Sequence, residues 1–424
     1  MEGSTMIGRI LGSHAVQQTG TSQPFQELKF RLHRYLIDEI ERENIDLAIL
    51  TRERLGSYVL GKIRAYIADR RLPVSGVELQ NLCGQIIDEL AGFGPLESLI
   101  NDPEIDDILV NGPRRIYVER KGKLEKTDYR FIDDDHVLRV IRRILAPLGR
   151  RIDEASPMVD ARLPDGSRVN AIIPPLALDG PSISIRKFRK EPLLAADLLQ
   201  LESISTDMLD FLTFAVRRRC NIIVIGGTGS GKTTLLNVLS RFITPEERVV
   251  TIEDAAELQL KHEHVVRLET RPHNIDGEGE ISARDLVRNA LRMRPDRIIL
   301  GEVRGNEVMD VLQAMNTGHD GCMTTLHANN CPDAMLRLEM LAGLANFQGS
   351  ERTLRQMIAA AIELVVHISR LPDGRRKVVS ITEIAGIREG EFVMNELFTY
   401  DDTSFRKTGI QPTSRKLQPA GADA

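Results

Sequence analysis

The sequence predicts an α/β fold in which a phosphate-binding domain follows a smaller α+β domain and an N-terminal helical module. A glycine-rich loop stands between a β-branched run and a helical pattern at 221–242. Strands and helices alternate over 206–404, which is typical of a mostly parallel sheet with helices on both faces. Apolar residues recur at three- and four-residue intervals over 25–92, which indicates packed helices. A chain of 424 residues exceeds one hydrophobic core, so two or three domains are expected.

The glycine-rich loop reads Gly226-Gly227-Thr228-Gly229-Ser230-Gly231-Lys232-Thr233 and matches G-x-x-x-x-G-K-[ST] at every fixed position. The strand before it and the helix after it let backbone N–H groups and the helix N-terminus converge on phosphates. A fortuitous glycine-rich turn would lack both flanks. We expect Lys232 to reach the β- and γ-phosphate oxygens and Thr233 to hold Mg²⁺. The predicted nucleotide-binding residues are Gly227, Thr228, Gly229, Ser230, Gly231, Lys232, Thr233 and Thr234.

The amino-acid composition argues against nucleic-acid-binding, membrane-spanning and zinc-binding classes of protein. Hydrophobic residues make up 42% and charged residues 28%, as in a globular protein, and the net charge of −5 gives no global attraction to nucleic acid or anionic lipid. We therefore expect no direct nucleic-acid partner. No apolar run approaches the roughly 18 residues of a membrane span, so any membrane contact is expected to be peripheral. The four cysteines are too widely spaced for a C-x-x-C site, and we expect no zinc and a reducing, cytoplasmic setting.

Composition and periodicity also set the expected domain boundaries. The segments are a disordered N-terminus (1–24), a helical module (25–92) with a turn at Leu72-Pro73-Val74, an N-terminal α+β domain (93–191), a linker (192–205), the phosphate-binding domain (206–404) and a disordered tail (405–424). The helical module is either a docking element or structural packing, and the sequence does not choose between them.

Strands and helices follow from short β-branched runs and from apolar periodicity. In the α+β domain, the predicted strands are 105–110, 116–119, 129–131, 168–173 and 182–188, and the predicted helix is 137–148. In the phosphate-binding domain, the further strands are 249–252, 264–268, 297–300 and 321–326. A helix is predicted at 283–293 because Ser282 and Asp285 form a capping-box pattern and Pro295 stops the helix.

Two acidic positions directly follow predicted buried strands. Glu253 and Asp254 follow 249–252, and Glu302 follows 297–300. A phosphate-loop hydrolase needs one acid to orient water and another to complete the Mg²⁺ shell, both at strand ends near the loop. An acid after a strand is alone often a helix cap. Two of them behind a phosphate loop are candidates for catalysis.

Four sequence boxes occur in the order found in a known superfamily. They are the phosphate loop, the acids at Glu253 and Asp254, Gly301-Glu302-Val303-Arg304, and the segment from Gly318-His319-Asp320 to Thr324-Thr325-Leu326-His327-Ala328-Asn329. In these boxes the chain resembles the ATPases of type II and type IV secretion systems and pili. The pieces 106–112, 164–170 and 184–188 look like those of the CpaF/TadA-type motors of the tight adherence (Tad/Flp) pilus. Type IV secretion (conjugation) ATPases share several features and form the nearest alternative.

The resemblance, which runs from about residue 25 to residue 400, implies a RecA-like ATPase domain preceded by a PAS-like α+β domain. It implies a homo-hexamer that uses ATP and Mg²⁺ at the cytoplasmic face of the bacterial inner membrane. Its partners would be inner-membrane platform proteins. ATP hydrolysis would change the angle between domains and power pilus assembly or retraction.

The resemblance also implies roles for individual residues. Glu302 would be the catalytic acid that polarises water and sits in the Mg²⁺ shell, with Glu253 assisting and Asp254 beside it. His327 and His319 would link the γ-phosphate region to the sheet. Arginines of the amino-terminal domain would reach the nucleotide, and others would face a neighbouring subunit. The first group is Arg168 and Arg186, and the second is Arg267, Arg271 and Arg294.

Three other functions share the phosphate loop. A small-molecule phosphotransferase needs an acceptor pocket and a lid, and no segment marks either. A nucleic-acid translocase is disfavoured by the acidic charge and by the 4% of aromatic residues. A nucleotide-gated assembly protein would bind ATP and scarcely hydrolyse it.

Overall fold

The computed structural model describes residues 23–43, 45, 51–120, 122–163, 165–188, 192–271, 273 and 279–418. The chain divides into two compact units, Met1–Phe188 and Arg189–Ala424. Residues 1–22 of the predicted disordered N-terminus lie outside the described residues.

Within the described residues, the helical module of the first unit contains three helices. They are α1 (Gln23–Arg42), α2 (Arg52–Asp69) and α3 (Gly76–Ala91). Their apolar stripes meet in one core that includes Leu32, Leu36, Ile63 and Ile86. The capping box at Ser75 and Glu78 fixes the start of α3. The predicted helical module is thus present, and the predicted turn separates α2 from α3.

The α+β part of the first unit is an antiparallel sheet covered by a helix. Its elements are α4 (Glu97–Asn101), β1 (Ile105–Asn111), β2 (Ile116–Arg120), β3 (Lys123–Lys126), α5 (Asp134–Leu145), β4 (Met158–Arg162), β5 (Arg168–Ile172) and β6 (Ser182–Arg186). The strand order is β3-β2-β1-β6-β5-β4. Apolar residues of α5 pack with the inward residues of β1 and β6.

One strand prediction in this sheet is wrong, and two strands, β3 and β4, were missed. The strand expected at 129–131 is coil, and the third strand is β3, because a tight turn lets Lys123 pair directly with Arg120 of β2. Phe131 is instead a core residue whose N–H donates to the carbonyl of Pro113. Strand β4 was missed because none of its five residues is fully buried, so it lacks an apolar alternation.

The second unit is a nine-stranded sheet with helices on both faces. Its helices are α6 (Ala195–Gln200), α7 (Thr206–Arg217), α8 (Lys232–Ser240), α9 (Ala283–Ala290), α10 (Val308–Asn316), α11 (Cys331–Leu344) and α12 (Glu351–Ala361). Its strands are β7 (Ile222–Ile225), β8 (Val249–Glu253), β9 (Val265–Glu269), β10 (Arg297–Leu300), β11 (Met323–Leu326), β12 (Leu364–Arg370), β13 (Arg376–Arg388), β14 (Glu391–Tyr400) and β15 (Phe405–Lys407).

The strand order is β15-β14-β13-β12-β7-β11-β10-β8-β9. The six strands from β12 to β9 are parallel, and β13 to β15 extend the sheet antiparallel. Strands β7, β8, β10 and β11 are buried at every position, as expected for a parallel sheet covered on both faces. The predicted fold class, α/β with a preceding α+β domain and a helical module, is confirmed.

The predicted linker and part of the predicted disordered tail belong to the second unit. The predicted linker contains α6, and its Leu198 and Ile204 are buried in the core beside α7. The predicted disordered tail is ordered through Gln418, since Leu417 is buried and Glu383 accepts the N–H of Ser414 at 2.7 Å. Residues 419–424 lie outside the described part of the chain. The expectation of disorder is wrong for 405–418, because the contacts that hold this segment come from residues distant in sequence.

Candidate nucleotide-binding site

The phosphate loop leaves β7 and opens α8 at Lys232. Gly226 and Gly231 have φ values of 153° and 102°, in the region that favours glycine. A Cβ on Gly226 would lie 2.1 Å from the carbonyl oxygen of Ile368. The close approach of β12 therefore requires glycine at the start of the loop. Gly227, Thr228 and Gly229 are exposed, so their backbone is open to a ligand.

Lys232 lies along the inside of this loop. Its Nζ donates to the carbonyl oxygens of Gly226 (3.0 Å) and Gly227 (2.9 Å). The side chain is buried, and this burial lowers the pKa of the ammonium group, while the charge of Glu302 raises it. The buried Ser230 hydroxyl has no hydrogen-bond partner in the structure. Thr233 and Thr234 are half-buried in the first turn of α8.

Both predicted acids lie at the same edge of the sheet as the loop. Glu253 ends β8, and Glu302 follows β10, the strand beside it. A Cβ on Gly301 would lie 3.0 Å from Cγ of Glu253, so the backbone just before Glu302 packs against the Glu253 side chain. The carboxyl ends of parallel strands thus bring together two acids that are 49 positions apart in sequence.

Glu253 is buried, with 4% of its surface exposed. Its Oε1 accepts the N–H groups of Glu257 and Leu258, both at 2.9 Å. Its Oε2 is buried and has no hydrogen-bond partner in the structure. Burial raises the pKa of this carboxyl to about 7, although the two backbone donors oppose the shift. Glu253 can therefore exchange a proton near neutral pH.

Glu302 is held by two side chains. Nη2 of Arg304 lies 2.6 Å from its Oε2, and Nε2 of His327 lies 3.0 Å from its Oε1. Arg304 also lies 3.4 Å from a carboxylate oxygen of Asp254. Burial lowers the pKa of His327, and the charges of Lys232 and Arg304 lower it further against the opposing effect of Glu302. The structure therefore places Glu302, Asp254 and His327 in one cluster.

His319 and Arg294 do not belong to this cluster. His319 precedes β11, and the neighbouring N–H groups of Gly321 and Cys322 donate to Asn221, which precedes β7. His319 thus lies at the amino edge of the sheet, opposite the loop, because α10 returns the chain there before β11 starts. Arg294 precedes β10 and lies at the same amino edge. The expectation that His319 lies near the γ-phosphate is wrong.

Arg267 and Arg271 are exposed near the outer edge of the sheet. Arg267 lies on β9, beside Thr251 of β8. Nε of Arg271 donates to the carbonyl of Gly279 at 2.7 Å. Their orientation toward a neighbouring subunit stays a prediction.

Arg168 and Arg186 belong to the first unit, where they lie directly opposite each other on β5 and β6. Nε of Arg186 donates to a carboxylate oxygen of Asp107 at 3.2 Å. The antiparallel register therefore gathers the two predicted arginines at one point of the sheet. Their contact with a nucleotide stays a prediction.

Sequence reasoning missed three arginines near the phosphate loop. Arg304 lies two residues after Glu302, in a segment where only the acid was predicted to be a site residue. Arg370 and Arg376 stand at the facing ends of β12 and β13, and Nε of Arg376 donates to the carbonyl of Gly229 at 2.9 Å. No sequence spacing could reveal this contact, since about 150 residues separate its partners. The basic run 375–377 was the signal that the sequence offered.

The residues present fit a nucleoside triphosphate with Mg²⁺. The glycine cradle, the buried Ser230 hydroxyl and Lys232 suit phosphate oxygens, while Thr233 and Glu302 supply the oxygen ligands that Mg²⁺ prefers. Among the described residues, no group of three or more His, Cys, Asp or Glu is placed to bind a metal ion alone. A Mg²⁺ ion bound mainly through phosphates needs no such group. Within the same residues, no helix is both long and apolar enough to cross a bilayer.

A parallel sheet with a phosphate loop and two acids at its carboxyl edge defines a phosphate-loop nucleotide-binding protein. The family model "Type II/IV secretion system protein" matches residues 89–411. The chain belongs to this family, whose members are ATPases.

Three known proteins illustrate the relationship. A Mycobacterium tuberculosis protein named for conjugal transfer is 40% identical over 309 residues, which cover 72% of this chain and 86% of that protein. The type IV secretion system protein PtlH of Bordetella pertussis is 35% identical over 318 residues, which cover 68% and 92%. The crystal structure of the pilus retraction motor PilT with bound ADP matches with a TM-score of 0.50 and 22% identity over 67% of this chain and 80% of that chain. This last likeness concerns the fold alone.

Proposed function

We propose that this protein is the motor ATPase of a type IV secretion machine of the conjugation kind. The observation that carries the proposal is the convergence of Lys232, Glu253 and Glu302 at one edge of the second unit. The names of the relatives in Mycobacterium tuberculosis and Bordetella pertussis favour secretion over other uses of ATP.

In the proposed reaction, the phosphate loop and Lys232 bind the triphosphate, and Thr233 and Glu302 contribute to the Mg²⁺ site. The Mg²⁺ ion supplies charge neutralisation at the phosphate oxygens. Glu302 orients the attacking water, because Arg304 holds its Oε2 and leaves Oε1 beside Nε2 of His327, without a hydrogen-bond partner among the described residues. This fixed carboxylate needs no reorganisation when the reaction begins.

Glu253 serves as the proton acceptor near this water. Its free Oε2 and its raised pKa, about 7, suit proton transfer at neutral pH better than an ordinary carboxylate does. The role of Glu302 is then mainly orientation, and that of Glu253 is mainly proton storage.

Coupling to movement would come from the first unit. Arg168 and Arg186 would contact the nucleotide, since guanidinium groups stabilise charge that develops on the γ-phosphate. A homo-hexamer would transmit the resulting movement to membrane partners at the cytoplasmic face of the inner membrane. Arg267, Arg271 and Arg294 are the proposed residues that face a neighbouring subunit.

A tight adherence (Tad/Flp) pilus motor is the second candidate. The observation that favours it is the helical module, because the family match begins at residue 89 and leaves α1, α2 and most of α3 outside it. The alignment to PtlH also covers 92% of that protein and only 68% of this chain. The module would then serve a machine that differs from that of the conjugation relatives.

The test is the mass and activity of the purified protein. We expect a hexamer by light scattering and ATP hydrolysis whose rate does not change when single- or double-stranded DNA is added. Cross-linking in membranes of the source organism separates the two machines by the partner recovered, a secretion-channel protein or a pilus platform protein. A monomer, or hydrolysis stimulated severalfold by DNA, would contradict the motor proposal.

A further inference from the structure

We propose that Arg376, on the hairpin formed by β12 and β13, is a positioning residue of the nucleotide site. This inference rests on the proposed function, because it assumes that the loop 226–233 binds ATP. The hairpin would thereby contribute to the affinity for the nucleotide. Nε of Arg376 donates to the carbonyl of Gly229 in the loop.

The hairpin flanks the loop on the side away from the acids. Strand β12 lies next to β7 in parallel register, with His367 beside Ile225, so 368–370 run past the loop. On the other side of β7 lie β11 and β10, and His327 and Glu302 follow the carboxyl ends of these two strands. The loop is thus bordered by reactive acids on one side and by a basic hairpin on the other. A residue of the hairpin is therefore suited to affect binding more than chemistry.

The space around three glycines of the loop shows how closely this hairpin packs on it. A Cβ on Gly226 would collide with the Ile368 carbonyl, and one on Gly231 would lie 3.4 Å from Cδ of Arg376. A Cβ on Gly229 would lie 3.8 Å from Nη1 of Arg370. The hairpin therefore forms one wall of the loop along most of its length.

The contact with Arg376 also orients the backbone that a phosphate would meet. In a trans peptide the C=O and the next N–H point in opposite directions. Holding the Gly229 carbonyl toward Arg376 turns the N–H of Ser230 back into the loop, where it lies 3.4 Å from the Gly227 carbonyl. Backbone N–H groups turned into such a loop are what bind phosphates. Arg376 acts through this peptide.

The neighbouring Arg375 provides a matched control. It is exposed in the same turn, but its Nε lies 2.6 Å from a carboxylate oxygen of Asp373 and its contacts are within the turn. Replacing either arginine by alanine removes one positive charge from the hairpin. Only the Arg376 change removes the contact with the loop.

The experiment compares Arg376→Ala, Arg376→Lys and Arg375→Ala in the full chain. We expect Arg376→Ala to raise KM for ATP, and the Kd of a fluorescent ADP analogue, about 10-fold with kcat within about twofold, as for loss of a charge-assisted hydrogen bond. Arg376→Lys should recover part of the affinity, and Arg375→Ala should match the wild type. Equal melting temperatures would establish that the variants are folded.

Equal KM and Kd for Arg376→Ala and Arg375→Ala would overturn the inference. A fall in kcat at unchanged KM would overturn it too, since the residue would then act on the reaction itself. A wild type that binds the ADP analogue but hydrolyses no ATP would refute the motor proposal, while the Kd comparison would still decide the role of Arg376.

Discussion

Burial raises the pKa of Glu253 and so determines the chemistry expected of it. Its neighbour along the chain, Asp254, is half-exposed beside Arg304, whereas Glu253 keeps one oxygen without a partner inside the fold. Two adjacent acids at the end of one strand therefore differ in burial. Sequence reasoning placed both at the site, and it could not distinguish them because burial depends on the residues that close over β8.

Replacing Glu253 by glutamine should change how stability depends on pH. Burial raises the pKa of Glu253 from 4.5 in the unfolded chain to about 7 in the folded chain, so its stabilising contribution is complete below pH 4.5 and is lost as pH rises toward 7. Glutamine carries no titration. We expect the variant to gain stability relative to wild type between pH 5 and pH 8, by on the order of 3 kcal/mol.

Thermal melting at pH 5, 6, 7 and 8 measures this effect. Asp254→Asn is the matched control, because it removes the neighbouring, half-exposed carboxylate and leaves the buried Glu253 in place. A constant difference in Tm between Glu253→Gln and wild type across the range would contradict the assigned pKa.

Contacts between residues distant in sequence could not be predicted, and this limited the prediction of the site. The phosphate loop and both acids were found because each follows a buried strand, and the carboxyl ends of parallel strands share one edge. Arg376 was missed because its contact with Gly229 joins distant segments. His319 was misplaced because the box that contains it spans the whole length of β11, and its two ends lie at opposite edges of the sheet.

The C-terminal part of the second unit contains one segment that the sequence could predict and one that it could not. Strand β12 carries the β-branched run that signals a strand, although it was not identified from the sequence. The segment 408–418 has no such signal. It is held by single contacts such as Lys416 Nζ to Glu363 at 2.6 Å and Ser414 N–H to Glu383. Contacts of this kind become visible only in the folded structure.

Truncation after Lys407 tests the structural role of that segment. The truncation removes the backbone donors from the buried carboxylate of Glu383 and uncovers the core around Leu417. We expect Tm to fall by about 10 °C, which corresponds to a few kcal/mol in a domain of this size. Truncation after Gln418 keeps these contacts and should leave Tm unchanged. Equal Tm values for the two truncations would contradict the ordered tail.

The whole chain joins two compact units that the sequence also separates by pattern. The family match spans the α+β domain and the second unit, so the helical module is the part in which this chain differs from the family model. Periodicity predicted the three helices, since a packed helical stripe is a local property. Their role is not a local property, and both docking and packing stay open as proposals.

The most direct test of the motor proposal is steady-state ATP hydrolysis by wild type and Glu302→Gln, with nucleotide affinity and mass measured on the same samples. Glutamine keeps the shape of the side chain but loses the charge that Arg304 holds in place. We expect wild type to hydrolyse ATP as a hexamer, and Glu302→Gln to keep the hexamer and its affinity while kcat falls about 100-fold or more. Turnover that is indifferent to Glu302 would contradict the assignment of the active site and the motor mechanism built on it.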